Sequence, residues 1–316
     1  MRLSCLMLFV LMFSASTILA QSASKKTIPN DTVLPAALAG VQKDDLVTLA
    51  ATKQPHKLVG DYNVPPGKKL VIEAGATVLC DKDSVLSISG TLEANGEAQK
   101  PIIFRGAKST PGIWKGILFE SVNNADYRYL YVSDAVDGVT MTKSKIHFSH
   151  CIFAGNQNGF HLWDGSHSEL KECVLSLNAK SGLRVGGTSL TIISCTISKN
   201  GEWGIRWPVA SLNITKSIIT GNKGGGINGW SKSPIVMKDS VLTGNAGMDV
   251  KNSNAEAEWD LRGNFWGAAL TKSLKANKGV VSSPAIVGKV RMDEFLEERP
   301  KACGASVTSL GGQKLW

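Results

Sequence analysis

The sequence predicts an all-β fold, a parallel solenoid of about 22 residues per coil with short capping segments at both ends. Two observations carry this. The first is a set of columns in one register. Asp134, Asn156, Asn178, Asn200, Asn222 and Asn245 recur at near-constant spacing, as do Cys151, Cys173, Cys195, Ser217 and Ser240. Gly138, Gly159, Gly182, Gly204, Gly226 and Gly247 make a third column. A fixed period in the twenties means stacked units that share one core. The second observation is short apolar alternation inside each unit, as in Leu190 and Ile192, then Cys195 and Ile197, then Ile205 and Trp207. No run holds helical spacing for three turns, so each unit reads as two or three short strands joined by turns.

From the N-terminus, residues 1–20 read as a signal peptide. Arg2 precedes an apolar stretch, Leu6 to Phe13, that is too short to span a bilayer, and Ala20 is the expected cleavage point. The body is then expected to be secreted, periplasmic or envelope-bound, with no transmembrane segment once the signal is removed. Residues 21–60 form an N-terminal cap or linker, with a short helix expected around Leu38, Val41, Asp45, Leu46 and Leu49. Residues 61–268 form the solenoid. Its first coils are less regular, with strands at Leu70–Ile72, Val85–Ile88, Ile102–Phe104 and Ile117–Phe119. The segment from Lys108 to Trp114 is the expected place for an overhanging loop. Residues 269–316 form a C-terminal cap or tail, with a short helix expected over Met292 to Glu298.

In the regular coils, Asn marks a corner, because it tolerates left-handed backbone and bonds neighbouring main chain. Stacked Asn amides also form ladders, so the column is structural. A leucine-rich repeat shares the period, and Ile192, Cys195, Ile197 and Asn200 fit its pattern. It also needs an apolar residue two places after the Asn, where this chain has Asn158, Lys180, Glu202 or Gly224.

Units such as Cys195 to Asn200 followed by Gly204, Ile205, Arg206 and Trp207 resemble the right-handed parallel β-helix repeat of pectate lyases, polygalacturonases and alginate epimerases. Val64 to Gly75 looks like the first coil of such proteins, and Asn264-Phe265-Trp266-Gly267 like the coil that often ends them. The resemblance covers about residues 60 to 290 and speaks for the fold, whose members differ in function.

The stacked cysteines face inward as buried thiols, and a straight column does not offer tetrahedral metal geometry, so no metal site is expected. Cys80 and Cys303 are close enough to pair only where the tail folds back along the rod.

Chemistry belongs on the outward column that follows the glycines: Thr140, His161, Arg184, Arg206, Asn228 and Asp249. His161, Arg184 and Arg206 form its cationic centre, and Trp163, Trp203 and Trp230 lie near it. Aromatic platforms beside guanidiniums suit sugar rings that bear carboxylates or sulfates. The chain is basic, with 35 Lys and Arg against 26 Asp and Glu, which favours anionic partners. No Lys/Arg run exceeds two residues, so nucleic acid is not the expected one. Three functions follow: a monomeric, non-catalytic module that binds an anionic polysaccharide or envelope glycan, with no cofactor; a polysaccharide lyase or epimerase; or a structural surface protein whose polar column is only a solvated sheet face. The enzyme would use His161 or Arg184 for proton transfer, with Asp164 or Glu202 nearby, and calcium belongs to the lyase alternative only. Asp134 and Asp137 are the one close carboxylate pair in the regular coils, with Asp134 assigned to the Asn corner. The polygalacturonase and pectate lyase motifs are absent, and coils of near-constant length leave no room for groove walls, which disfavours catalysis. Two sequons, Asn30-Asp31-Thr32 and Asn213-Ile214-Thr215, matter only in a glycosylating host.

Overall fold

A computed structural model describes residues 25–28, 33–34, 46–186, 189–207, 211–230, 232–233, 235–277, 283–305, 309–310 and 313–314. The signal segment and the cleavage point lie outside the described residues. Each regular coil contributes one strand to each of three parallel sheets. The first sheet has ten strands, from Val33–Leu34 to Val241–Leu242, and the second has ten, from Asp61–Val64 to Ile286–Val287. The third has eight, from Asn123–Arg128 to Val290–Arg291; a four-stranded sheet holds the strands from Lys25–Ile28 to Thr91–Glu93. Ten strands at solenoid spacing give a rod of about 43 Å. Inward side chains form one continuous apolar core, with Phe119, Tyr127, Phe148, Phe153 and Phe160 clustered near its middle.

Two of the corners account for the residue columns of the repeat. Asn156, Asn178, Asn200, Asn222 and Asn245 line the corner between the first and second sheets. The Oδ1 of each accepts a backbone N–H from the coil before, for instance Asn178 to Asn200 at 3.1 Å. The Nδ2 donates back across the core side, as Asn200 to Leu175 O at 3.1 Å, and along the ladder, as Asn200 to Asn222 Oδ1 at 2.8 Å. The left-handed residue is not the Asn but the one before it: Asp134, Gly155, Leu177, Lys199, Gly221 and Gly244 all have positive φ. The column glycines follow from the ladder. A Cβ on Gly204 would stand 2.9 Å from Asn222 Nδ2 and 2.8 Å from Gly226 O.

A second ladder lines the corner between the third and first sheets. The Cys173 N–H meets Cys195 Sγ, the Cys195 N–H meets Ser217 Oγ, Ser217 meets Ser240, and Ser240 ends on Asn264 Oδ1. That gives Asn264 its role in the terminal motif. Cys151, Cys173 and Cys195 are buried free thiols whose Sγ atoms also donate to main-chain carbonyls.

Register corrects both ends of the columns. Tyr131 pairs Ile152 and Val132 pairs Phe153, which sets Ala135, not Asp134, opposite Asn156. The Ala135 N–H bonds Asn156 Oδ1, and Asp134 takes the left-handed place with φ 64°. At the other end, Gly225 pairs Met248, so Asp249 follows Gly226 in the glycine column and Gly247 belongs to the turn. Asp249 caps the Asn ladder by accepting from both nitrogens of Asn245.

The described part of the first expected helix is a strand, and the second expected helix does not form. Leu46 and Leu49 lie in a strand, Leu46–Leu49, paired to Lys69–Ile72, while Leu38, Val41 and Asp45 lie outside the described residues. Met292 to Glu298 is irregular chain that bends on both sides of a bridge between Asn264 and Phe295. A helix spans Ala268–Ala276 instead and sets Leu274 into the end of the core. Parallel pairing continues past it, with Ile286–Val287 and Val290–Arg291 as the last strands of their sheets. The tail then turns back over the outer side of the first sheet. Cys303 Sγ donates to Ser217 O, the Gly304 N–H to Lys216 O and the Ala305 N–H to Thr196 Oγ1. Cys80 lies six strands away in that sheet, about 29 Å at solenoid spacing, so the two thiols do not meet.

Candidate functional site

The outer side of the second sheet carries the candidate column in direct register. Thr140 pairs His161, His161 pairs Arg184, Arg184 pairs Arg206, Arg206 pairs Asn228 and Asn228 pairs Lys251. The column therefore ends on Lys251, and Asp249 is displaced from it. Asp249 is instead a buried ladder cap at 7% exposure, on the wall of a cleft of about 520 Å³ beside the helix Ala268–Ala276. Burial pushes its carboxyl up, against the lowering effect of the Asn245 hydrogen bonds.

His161 is not a solvated surface histidine. Its Nδ1 lies 3.1 Å from Asp137 Oδ2, its ring sits 4.4 Å from the Trp163 ring, and it is 4% exposed. Asp137 Oδ1 accepts from Asn158 Nδ2 at 2.8 Å. Burial raises the Asp137 carboxyl, but the bonds to His161 and Asn158 and the charges of His161 and Arg184 together hold it below the usual carboxylate range. The Asp137–His161 pair is bonded side chain to side chain across adjacent coils, which the sequence columns did not reveal.

Two coils on, Arg184 and Arg206 share one aromatic ring. Their guanidinium carbons lie 4.9 Å and 4.4 Å from the centroid of Trp207. Strand alternation places Trp207, third after the column glycine Gly204, on the inward face. It is 46% exposed and its φ is 58°, and that left-handed turn carries the side chain out of the core face. For a bulky residue this conformation is costly.

Arg206 is already engaged: its Nη1 lies 2.6 Å from Glu202 Oε2, and its Nε is buried with no partner among the described residues. Arg184 makes no hydrogen bond or ion pair among the described residues; it lies over the Trp207 ring, and its charge reaches Asp137 only at longer range. The cationic centre is therefore partly neutralised, by Asp137 at one end and Glu202 at the other.

The remaining candidates are more scattered. Trp203 is half-buried with its ring over Gly225, where an added Cβ would stand 2.2 Å away. Trp230 follows the strand Gly225–Gly229 and is 67% exposed. Asn228 is half-buried within its column, and Asp164 is exposed in the turn after Trp163. The Lys108 to Trp114 loop folds onto the corner between the first and second sheets. There the Gly112 and Ile113 N–H groups bond Asp134 O, and Trp114 is buried with its Nε1–H on Ser133 O. Among the described residues no three of His, Cys, Asp and Glu gather as a metal site.

The family model described as the right handed beta helix region matches residues 111–246, which hold all five ladder asparagines. No curated protein matches the sequence. Among solved structures, the chain is similar to pectate lyase Pel9A, with 14% identity over 78% of this chain and 74% of that one, at a TM-score of 0.42. It is also similar to the periplasmic alginate epimerase AlgG, with 10% identity over 80% and 76%, at a TM-score of 0.38.

Proposed function

We propose that this right-handed parallel β-helix protein is a non-catalytic glycan-binding rod, exported from the cytoplasm, that takes an acidic polysaccharide along the outer side of its second sheet. The observation that carries the reading is Trp207. An aromatic ring is held outside the core at a conformational cost, with two guanidiniums over it. A sugar ring stacks on such a platform, and Arg184, which has no carboxylate partner among the described residues, supplies a bidentate site for an acidic substituent. Trp163 and Trp230 extend the apolar contact along the same side. Export rests on the apolar stretch Leu6 to Phe13; among the described residues no helix is long and apolar enough to cross a membrane.

One observation favours a second reading, a lyase or epimerase of uronate polymers. The Asp137–His161 pair fixes Nδ1 and leaves Nε2 as the nitrogen for taking a proton beside a carboxylate held by Arg184. The 4% exposure of His161 beneath Trp163 weighs against it.

The discriminating experiment incubates the purified protein with acidic and neutral polysaccharides, with and without calcium. Unsaturated uronates and new reducing ends are followed over hours, and retention on each immobilised polymer is measured. Saturable retention without product is expected. Product that disappears in His161→Ala would make the protein an enzyme, and neither product nor retention would leave a structural surface protein.

A further inference from the structure

The face that carries Arg184 and Arg206 also carries two carboxylates. Along the rod the order is Asp137 against His161, then Arg184, then Arg206 with Glu202 upon it, then Asn228 and Lys251. Arg184 and Arg206 are register partners, so their Cα atoms are about 4.8 Å apart. Both lie on the same ring, yet their states differ. Glu202 occupies Arg206 in the way a ligand carboxylate would, and Arg184 is unoccupied by any carboxylate among the described residues. Measured along the rod axis alone, Asp137 stands two coils before Arg184, about 10 Å, and Glu202 one coil after it, about 5 Å. A ligand carboxylate is therefore attracted at one point and repelled on both sides of it.

We propose that Glu202 is a selectivity residue that reserves Arg206, so that the face takes one carboxylate at a time at Arg184. The preferred ligand class is then an acidic glycan whose uronates alternate with neutral sugars, and a homopolymer with a carboxylate on every ring is disfavoured. This rests on the glycan-binding reading above. Glu202 and Arg206 are both partly solvated, with side chains 38% and 33% exposed, so the effect is one of selectivity and salt-sensitive affinity and not of folding.

The test uses the purified protein and two probes of matched length. One is a set of hyaluronan oligosaccharides, in which glucuronate alternates with a neutral N-acetylated sugar, and the other a set of oligogalacturonates. Wild type should bind the alternating probe more tightly. Glu202→Gln should strengthen oligogalacturonate binding about three- to tenfold, with less than about a twofold change for hyaluronan. Glu202→Ala should act in the same direction, which guards against a new contact made by the amide. An unchanged thermal midpoint checks the fold. Equal wild-type affinity for the two probes, or a ratio that neither variant moves, overturns the role of Glu202 and leaves the binding rod standing. Binding of neither probe by wild type overturns the rod and this inference with it.

Discussion

Asn200→Ala removes one rung from the middle of the amide ladder, and the cost can be worked from its bonds. The Asn200 side chain accepts from the Asn178 N–H at 3.1 Å and from Asn178 Nδ2 at 2.9 Å. It donates to Leu175 O at 3.1 Å and to Asn222 Oδ1 at 2.8 Å. Two of the four partners keep another bond: Asn178 Nδ2 still reaches Phe153 O, and Asn222 Oδ1 still receives the Asn200 N–H. The Asn178 N–H and one lone pair of Leu175 O are left buried and unpaired. Each such group costs about 1–3 kcal/mol, so the variant should lose about 2–6 kcal/mol. Urea unfolding followed by circular dichroism reads the loss as a lower midpoint at unchanged slope. Hydrogen exchange at the Asn178 amide reads it locally, which matters because solenoids open coil by coil. Asn200→Asp restores an acceptor but sets a carboxylate against two acceptor oxygens. It should be worse than Ala at pH 7 and partly recover below about pH 4, where the acid regains a donor. A loss under about 1 kcal/mol with an unprotected Asn178 amide in neither variant would refute the ladder as a source of stability.

Two further perturbations follow from the same corners. Asp249 has a folded pKa above its unfolded value, so its native form holds a proton that the unfolded chain has released, and its contribution to stability falls as pH rises from about 4 through the folded value. Asn at this position keeps an oxygen for Asn245 and removes the buried charge. Asp249→Asn should therefore raise the urea midpoint at pH 7 and match wild type near pH 3; a lower midpoint at pH 7 would count against the assignment. Gly204→Ala should cost about 1–3 kcal/mol, because its Cβ would press on the main chain of the next coil and on the Asn222 amide, and midpoints measured beside wild type check it.

Fold and ladders were largely legible in the sequence because each ladder demands one residue type at one place in every coil. The places where the reading slipped are those where a coil changes length. Asp134 and Gly247 matched their columns in type and spacing but not in register, and hydrogen-bond partners put Ala135 and Asp249 there instead. The left-handed corner positions were invisible because Leu177, Lys199, His150 and Glu172 carry no compositional mark of a turn. The site was legible in its main column and not in its chemistry. Alternation gives the face of a strand residue and is silent on which neighbour it touches, so Glu202 on Arg206, Asp137 on His161 and the outward turn of Trp207 needed coordinates. The return of the tail to Thr196 joins residues more than a hundred apart, a contact with no local signal.

The most direct test of the binding rod is a titration of wild type, Trp207→Ala and Arg184→Ala with the acidic polysaccharide that the protein retains best, with circular dichroism as the fold control. Trp207 is half-exposed, and Ala carries the same left-handed backbone cost, so its removal should leave the thermal midpoint nearly unchanged. Affinity should fall about tenfold or more in each variant, since loss of an aromatic platform or of a bidentate guanidinium is worth about 1–3 kcal/mol. Folded variants that bind as tightly as wild type would contradict the account and move the ligand to another side of the rod.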